Sequence, residues 1–428
     1  MSNVVSLPRP IAMRSRPDPL GFYIRVGFND HLELLHLIAT GEHGMFGFVI
    51  DAHYVSRHRE LITEARQRGF DVILDPKTQP MALPYGHTDG LGSLPWGGER
   101  FHRLSDFDLH VGREKASRIV DFALANNFTQ VLGPTHLLSG ANDPWLRRDI
   151  ATMGWTADEI ARSGKKLGLL YSLALPMRVF REGDERRAIV SAMADAPCDS
   201  IWVKIENFGD TATGEKTAAY IEGCRDLHVR QVPIVGDHIG GLPGLGVLAY
   251  GGLGGMAHGV TMQQRFSAAS WRRPSARSGG SSWRVYLPGL DLLLKPTAAE
   301  GLLSSPRLKA RCGCHDTHCC PHGVKDMIDR PVRHAMYQRA REIERISSIA
   351  PSLRASTYLD EQVRRVSDAV AAVAGLTNLD ADLHDSLRRK QGHMRLFRQA
   401  MAHFAEASPS ESIAIPPPRR ATERKIEE

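Results

Sequence analysis

Four of the six cysteines in this chain of 428 residues fall within nine positions, Cys312, Cys314, Cys319 and Cys320, with His315, His318 and His322 close by. Thiolates and imidazoles are the donors a tetrahedral zinc ion takes, so this density predicts a metal site. Cys312, Cys314 and one of Cys319 and Cys320 supply three ligands. The fourth is the remaining cysteine or one of His315, His318, His322 and His334. Four protein ligands leave no open position, which makes the ion, a Zn2+, structural. An iron–sulfur cluster and free redox-active thiols are the other uses of such a cluster.

A second set of residues closes short apolar runs. Asp51 follows Phe-Val-Ile, Asp75 follows Val-Ile-Leu, and Asp237 follows Pro-Ile-Val-Gly. Carboxylates at the ends of three strands act as base, acid or nucleophile when burial separates their pKa values. Asp75 and Asp237 are therefore expected to be catalytic, with Asp51 in reserve. His53, Lys77, Lys204, Glu206 and His238 lie at equivalent positions and are expected to bind substrate, whereas His136 and His258 read as packing residues. The competing expectation is that these carboxylates cap helices or pair with Lys204 and Arg25.

Positioning such groups takes alternating strands and helices. Strands are predicted over 21–28, 45–50, 71–74, 129–133, 167–173, 200–205, 232–235 and 256–260 from their apolar, β-branched runs. Helices are predicted over 31–40, 56–68 (capped by Ser56), 113–127, 184–194 and 215–227, with a helical pair over 144–166. A long loop is expected over the 35 or so residues after Pro76, and a small-residue turn around Gly240. Eight βα units in about 250 residues predict a (β/α)8 TIM-like barrel, with an open doubly wound sheet as the alternative. The glycines from Gly240 have the wrong spacing for a dinucleotide fingerprint. The chain then divides into a disordered N-terminus (1–19), the barrel (20–269), a loop and metal knot (270–330), C-terminal helices (331–407) and a disordered tail (408–428).

Composition narrows the class. Apolar residues make up 42% and charged residues 24%, as in a protein with a sizeable buried core. No apolar run reaches the roughly 18 residues of a membrane span, and the Pro- and Arg-rich start lacks a secretory apolar segment. A cytoplasmic location is expected, where clustered cysteines serve metals more often than disulfides; Cys198 and Cys224 read as inert. From Gly301 onward there are 21 Lys and Arg against 16 Asp and Glu, so most of the net +6 lies there. Arg364, Arg365, Arg388, Arg389, Arg395 and Arg398 make either a solvated helical surface or a face that meets the phosphates of tRNA or DNA.

A barrel followed by Cys312-x-Cys314, then Cys319 or Cys320, then His334 near a helix start resembles the tRNA-guanine transglycosylase superfamily, which includes relatives that place deazaguanine bases in DNA. The gaps here are four or five residues before the third cysteine and about 14 before the histidine, where the family has two and about 25. The resemblance implies base exchange, in which one aspartate attacks the ribose anomeric carbon and another assists proton transfer at the base. Asp75, with Gln79 beyond, is similar to the family's early-strand aspartate, without the glycines that normally follow it. The stretch 256–262 holds no carboxylate for the late-strand nucleophile, and Asp237 is the nearest. The expected function is a divergent base-exchanging glycosyltransferase. The alternatives are a catalytically inactive nucleic-acid-binding barrel and a small-molecule lyase or hydrolase with a structural zinc.

Overall fold

Every one of the eight apolar runs becomes a strand in the computed structural model, which describes residues 18–41, 44–86, 90–272, 283–376, 379–407 and 413–419. In chain order the barrel elements are β1 (Gly21–Arg25), α1 (His31–Ala39), β2 (Gly47–Asp51), α2 (Arg59–Gln67), β3 (Asp71–Asp75), α3 (Thr78–Met81), α4 (Leu109–Ala125) and β4 (Gln130–Leu132). They continue with α5 (Pro144–Ser163), β5 (Gly168–Pro176), α6 (Met177–Arg181), α7 (Gly183–Ala192), β6 (Ser200–Glu206), α8 (Gly214–Leu227), β7 (Ile234–Asp237), α9 (Gly241–Ala249) and β8 (Gly255–Gly259). Each strand pairs in parallel with the next, and β8 pairs with β1 from Gly255–Gly21 to Gly259–Arg25, which closes the (β/α)8 barrel.

Strand periodicity decides what the barrel encloses. One residue per strand, Tyr23, Val49, Ile73, Leu132, Leu170, Trp202, Val235 and Ala257, joins a small buried cluster separate from the main core. This is the apolar plug of the barrel interior. Their neighbours in sequence, such as Phe22, Phe48, Val72, Ile201 and Ile234, join the large cluster between strands and helices. Because side chains alternate with a period of two, the residues two further along face inward again, one layer nearer the C-terminal mouth. Those residues are Arg25, Asp51, Asp75, Ser172, Lys204 and Asp237, so a polar layer sits directly on the apolar plug.

Several local expectations change. The strand begun at Gly21 ends at Arg25, where the Gly27–Asp30 turn starts, Gly27 N donating to Asp30. Ser56 does not cap α2; His58 occupies that position. The helical pair over 144–166 is one helix, started by Asp143 accepting from Trp145 N and ended by left-handed Gly164. The turn expected around Gly240 is α9, entirely buried, where packing outweighs the poor helix propensity of glycine. Gly246 lets Tyr358 pack closely there, since a Cβ would lie 3.0 Å from the Tyr358 hydroxyl. The loop after Pro76 contains α3 and a 3-10 turn at Leu104–Phe107, and is anchored by Trp96 Nε1 donating to Pro76 O at 2.9 Å.

Beyond the barrel come an antiparallel hairpin, β9 (Val285–Leu287) and β10 (Leu292–Leu294), and two helices, α10 (Pro296–Leu303) and α11 (Pro306–Cys312). Then follow α12 (Val324–Asp329), α13 (Pro331–Ser348), α14 (Pro351–Thr357), a π-helical stretch at Tyr358–Val363, α15 (Arg364–Ala374) and α16 (Ala381–Ala407). Pro331 opens α13 as expected, since the first helical N–H needs no partner. Helix α13 packs against α1, α9 and β9, and α16 against α8 and α15. The tail expected to be disordered is ordered over 413–419. Ala414 N donates to Gly251 O at 3.0 Å, and Pro417 packs so closely on Gly21 that a Cβ there would lie 2.9 Å from it. Residues 1–17, 273–282, 408–412 and 420–428, which hold most of the remaining expected disorder, lie outside the described residues. No helix among the described residues is long and apolar enough to cross a membrane.

Candidate active site and metal centre

The polar layer is organised around Arg25. Its guanidinium takes Asp237 in a two-bond fork, Nε to Oδ1 at 2.5 Å and a terminal nitrogen to Oδ2 at 2.7 Å. Its other terminal nitrogen reaches Asp75 at 2.8 Å and Asp51 at 3.5 Å. Lys77 pairs with Asp51 at 3.1 Å, and Lys204 lies 3.4 Å from Asp237 while donating to Gln79 Oε1 at 3.0 Å. Three carboxylates thus meet three cations, and the layer is close to neutral. This balance makes burial tolerable, because an unpaired charge here would cost several kcal/mol.

Depth differs sharply across the layer. Side-chain exposure runs from 0% at Asp237, 2% at Arg25 and 3% at Lys204 to 9% at Asp75, 15% at Lys77 and 17% at Asp51. Asp237, Arg25 and Lys204 form a floor; Asp75, Lys77 and Asp51 form the side that solvent reaches. Burial opposes charge at Asp75, but Lys77, Arg25 and Lys204 outweigh it and hold its carboxyl well below the usual range. Arg25 and Lys204 do the same for Asp237. Burial lowers the Lys204 ammonium despite Asp237, whereas at Lys77 burial is outweighed by Asp51 and Asp75, which raise it.

Local backbone strain concentrates at the same rim. Lys77 (φ 60°), Asn207 (φ 64°), His238 (φ 57°) and Gln263 (φ 57°) adopt the left-handed region just after β3, β6, β7 and β8. Such conformations cost about 1–3 kcal/mol each in non-glycine residues and cluster at functional sites. At β3 the cause is visible: Asp75 Oδ1 accepts from Lys77 N at 2.9 Å across Pro76. That tight turn leads into Gln79, whose amide nitrogen bonds the Ser172 hydroxyl at 3.0 Å.

All three sequence-expected carboxylates therefore converge, in pairs with Arg25 and Lys204 as the competing expectation had it. His238 is half-buried beside Arg25 and Asp237, and desolvation followed by Arg25 lowers its imidazole well below the ordinary value. His53 stands beside Asp51 and Lys77, lowered chiefly by burial. Glu206 ends β6 half-buried, two residues beyond Lys204 and so on the same inward face. His258 faces outward against Phe22, and His136 is clamped between Trp145 at 3.7 Å and Asp149, whose Oδ1 is 2.6 Å from its Nδ1. Sequence reasoning missed Arg25 as the hub and Gln79 and Ser172 as part of the layer. The signal that finds Arg25 and Ser172 is their period-two spacing from Tyr23 and Leu170.

The second site follows α11. Cys314, Cys319, Cys320 and His334 bring one ligand atom each within 4.8 Å of the others, and all four are buried. His334 Nδ1 is 3.3 Å from Cys319 Sγ and 3.4 Å from Cys320 Sγ, and the two sulfurs are 3.6 Å apart. A tetrahedral ion with metal–sulfur bonds of about 2.3 Å and a metal–nitrogen bond of about 2.0 Å has ligand–ligand edges of about 3.5–3.8 Å, so the cluster could hold one with little movement. Outer contacts fix the donors. His334 Nε2 bonds Tyr286 O at 2.8 Å, which leaves Nδ1 as the ligand nitrogen, and Gln338 Nε2 donates to Cys314 Sγ at 3.3 Å.

Cys312 does not join them. It ends α11 outside the group of four, and burial pushes its thiol up to about 11, away from the thiolate a metal needs. His315, His318 and His322 are exposed, His315 bonding Ala310 O and His322 pairing with Asp326.

No family model matches the chain, and no curated protein matches it at a significant level. Solved structures do. Methylaspartate ammonia lyase of Citrobacter amalonaticus matches at 10% identity over 56% of this chain and 54% of its own, with a TM-score of 0.33. The carboxyl transferase domain of Rhizobium etli pyruvate carboxylase matches at 11% over 90% and 63%, with a TM-score of 0.39. A putative phosphonomutase of Burkholderia cenocepacia matches at 14% over 57% and 88%, with a TM-score of 0.34. The chain thus spans just over half to under two thirds of the first two, and likenesses at this level bear on fold alone.

Proposed function

We propose that the chain is an enzyme acting at the barrel mouth, a divergent base-exchanging glycosyltransferase for a nucleobase in tRNA or DNA, braced by a structural zinc at Cys314, Cys319, Cys320 and His334. The observation that carries it is the layer around Arg25: carboxylates from three strands, with Asp75 held ionised and on the open side. A scaffold that only bound nucleic acid would have no use for this buried, strained constellation. The post-barrel Cys3His cluster closing on the start of α13 supports the same family reading.

In this reading the Asp75 carboxylate attacks the ribose anomeric carbon, and the glycosidic bond breaks with its electron pair leaving on the base nitrogen. Lys204, the ammonium lowered by burial, supplies the proton that nitrogen takes. The incoming base then displaces Asp75 and returns a proton to Lys204. Asp237 stays buried as counter-ion to Arg25 and Lys204, a positioning part and not the partner nucleophile that its place in the sequence suggests. Asp51 and Lys77 line the entrance.

Incorporation of a radiolabelled free guanine or deazaguanine into acid-precipitable tRNA or DNA tests the proposal. Wild-type protein is expected to incorporate label, and Asp75→Asn to lose at least about 1000-fold in rate while keeping its metal and remaining folded. No incorporation by wild-type protein into either nucleic acid overturns it. The limited exposure of Asp51, Lys77 and Asp75 favours one second reading, a lyase or hydrolase for a small molecule. Turnover of small carbonyl or carboxylate substrates without nucleic acid would select that reading instead.

A further inference from the structure

The turn between β1 and α1 holds Phe28 at the mouth with 51% of its surface open. Its surroundings are not apolar. The Arg57 guanidinium lies 3.8 Å from the ring centroid, tied down by Nε donating to Phe28 O at 2.7 Å and a terminal nitrogen donating to Asn29 Oδ1 at 2.9 Å. Tyr54 stands edge-on to Phe28 at 5.4 Å, and His53 lies against Tyr54 at 3.8 Å. His53 in turn neighbours Asp51 and Lys77. A run of flat rings therefore leads from the open rim to the charged layer, with a fixed cation at its outer end.

We propose that Phe28, backed by Arg57 and Tyr54, is a stacking subsite for an unpaired nucleobase that flanks the nucleotide held at the mouth. A fixed guanidinium beside an open aromatic face complements a ligand with both a flat π-surface and a nearby negative charge, which an unstacked nucleotide offers. Phe28 gives stacking that is indifferent to sequence, and Arg57 both holds the ring and faces the adjoining phosphate. The inference shares with the proposed function only its partner, a nucleic acid. It requires no base exchange.

Fluorescence anisotropy of the full-length protein with labelled single strands of about fifteen nucleotides, one of DNA and one of RNA, tests it. Phe28→Ala is expected to weaken binding about tenfold without altering the dependence on salt, because no phosphate contact is removed. Phe28→Trp should restore the affinity, and Arg57→Gln should weaken it and flatten the salt dependence. Comparison of the two strands shows which nucleic acid the subsite prefers. Wild-type affinity in Phe28→Ala, failure of Phe28→Trp to restore binding in a protein of unchanged melting temperature, or no binding of either strand by wild type overturns the subsite. Base exchange measured on the same preparations separates the two ideas. Exchange with Phe28-independent binding rejects only the subsite, and Phe28-dependent binding without exchange rejects only the transferase reading.

Discussion

A buried ammonium gives up its proton more readily than one in water, and Lys204 has that character although Asp237 opposes it. If Lys204 donates to the leaving base, it must be protonated in the active form. The rate then holds below its pKa and falls as pH rises through it, so the alkaline limb of the kcat/KM profile should lie below the 10.5 of an ordinary lysine. Lys204→Arg should keep the charge and carry that limb beyond the measurable range, while Lys204→Met should abolish turnover. A profile unchanged in Lys204→Arg rejects the assignment. The carboxylates of this layer were legible in the sequence because an acid closing an apolar run is conspicuous. Arg25 was legible as a partner of these carboxylates but not as their hub: the apolar pattern runs on past it to Phe28, and nothing local shows that β1 stops there. Nor can spacing separate Cys312 from Cys314, since the choice depends on which of them the end of α11 brings beside Cys319, Cys320 and His334.

Metal linkage belongs to elements, not residues. Cys314, Cys319 and Cys320 lie in the connection from α11 to α12, and His334 stands in the first turn of α13, so one ion would join that connection to the helix packed on α1, α9 and β9. Cys314→Ser should therefore lower the melting temperature by about 5 °C or more, whereas Cys198→Ser, far from the cluster, should change it little. Metal analysis should find about one zinc per wild-type chain. Equal melting of the two variants, or no metal in the wild type, argues against a structural ion. All eight barrel strands were readable from short apolar runs bounded by turn residues. Helix α9 was not, because Gly-Gly-Leu-Pro-Gly-Leu-Gly has turn composition and becomes helical only through packing from Tyr358 and its neighbours. The hairpin of β9 and β10 escaped for the opposite reason, as strands of three residues are too short to show a period.

Across the whole molecule, three fully buried or nearly buried histidines set an acid limit. Burial lowers His58 to about 4, with His31 and Arg57 adding to it. Burial also lowers His102 and His258 to about 3, helped by Lys115 and by Arg339 respectively. Each is neutral in the folded state but takes a proton near 6.5 once unfolded. Their contribution to stability is complete above about pH 6.5 and is lost as pH falls from there towards the folded values. The protein should melt lower at about pH 5.5 than at about pH 7.5. His58→Phe should shrink that difference, since neither ring nitrogen of His58 has a partner to lose. An undiminished difference in His58→Phe rejects a role for His58. The segment at 413–419 carries a consequence of another kind. It lies beneath the junction of β1 with β8, meeting Gly21, Gly251 and Gly254, so the first strand of the barrel is covered by a segment that follows α16 in the chain. Synthesis can finish the walls of this molecule well before it can cover their base, because the covering residues follow both the cysteine cluster and the C-terminal helices in the chain.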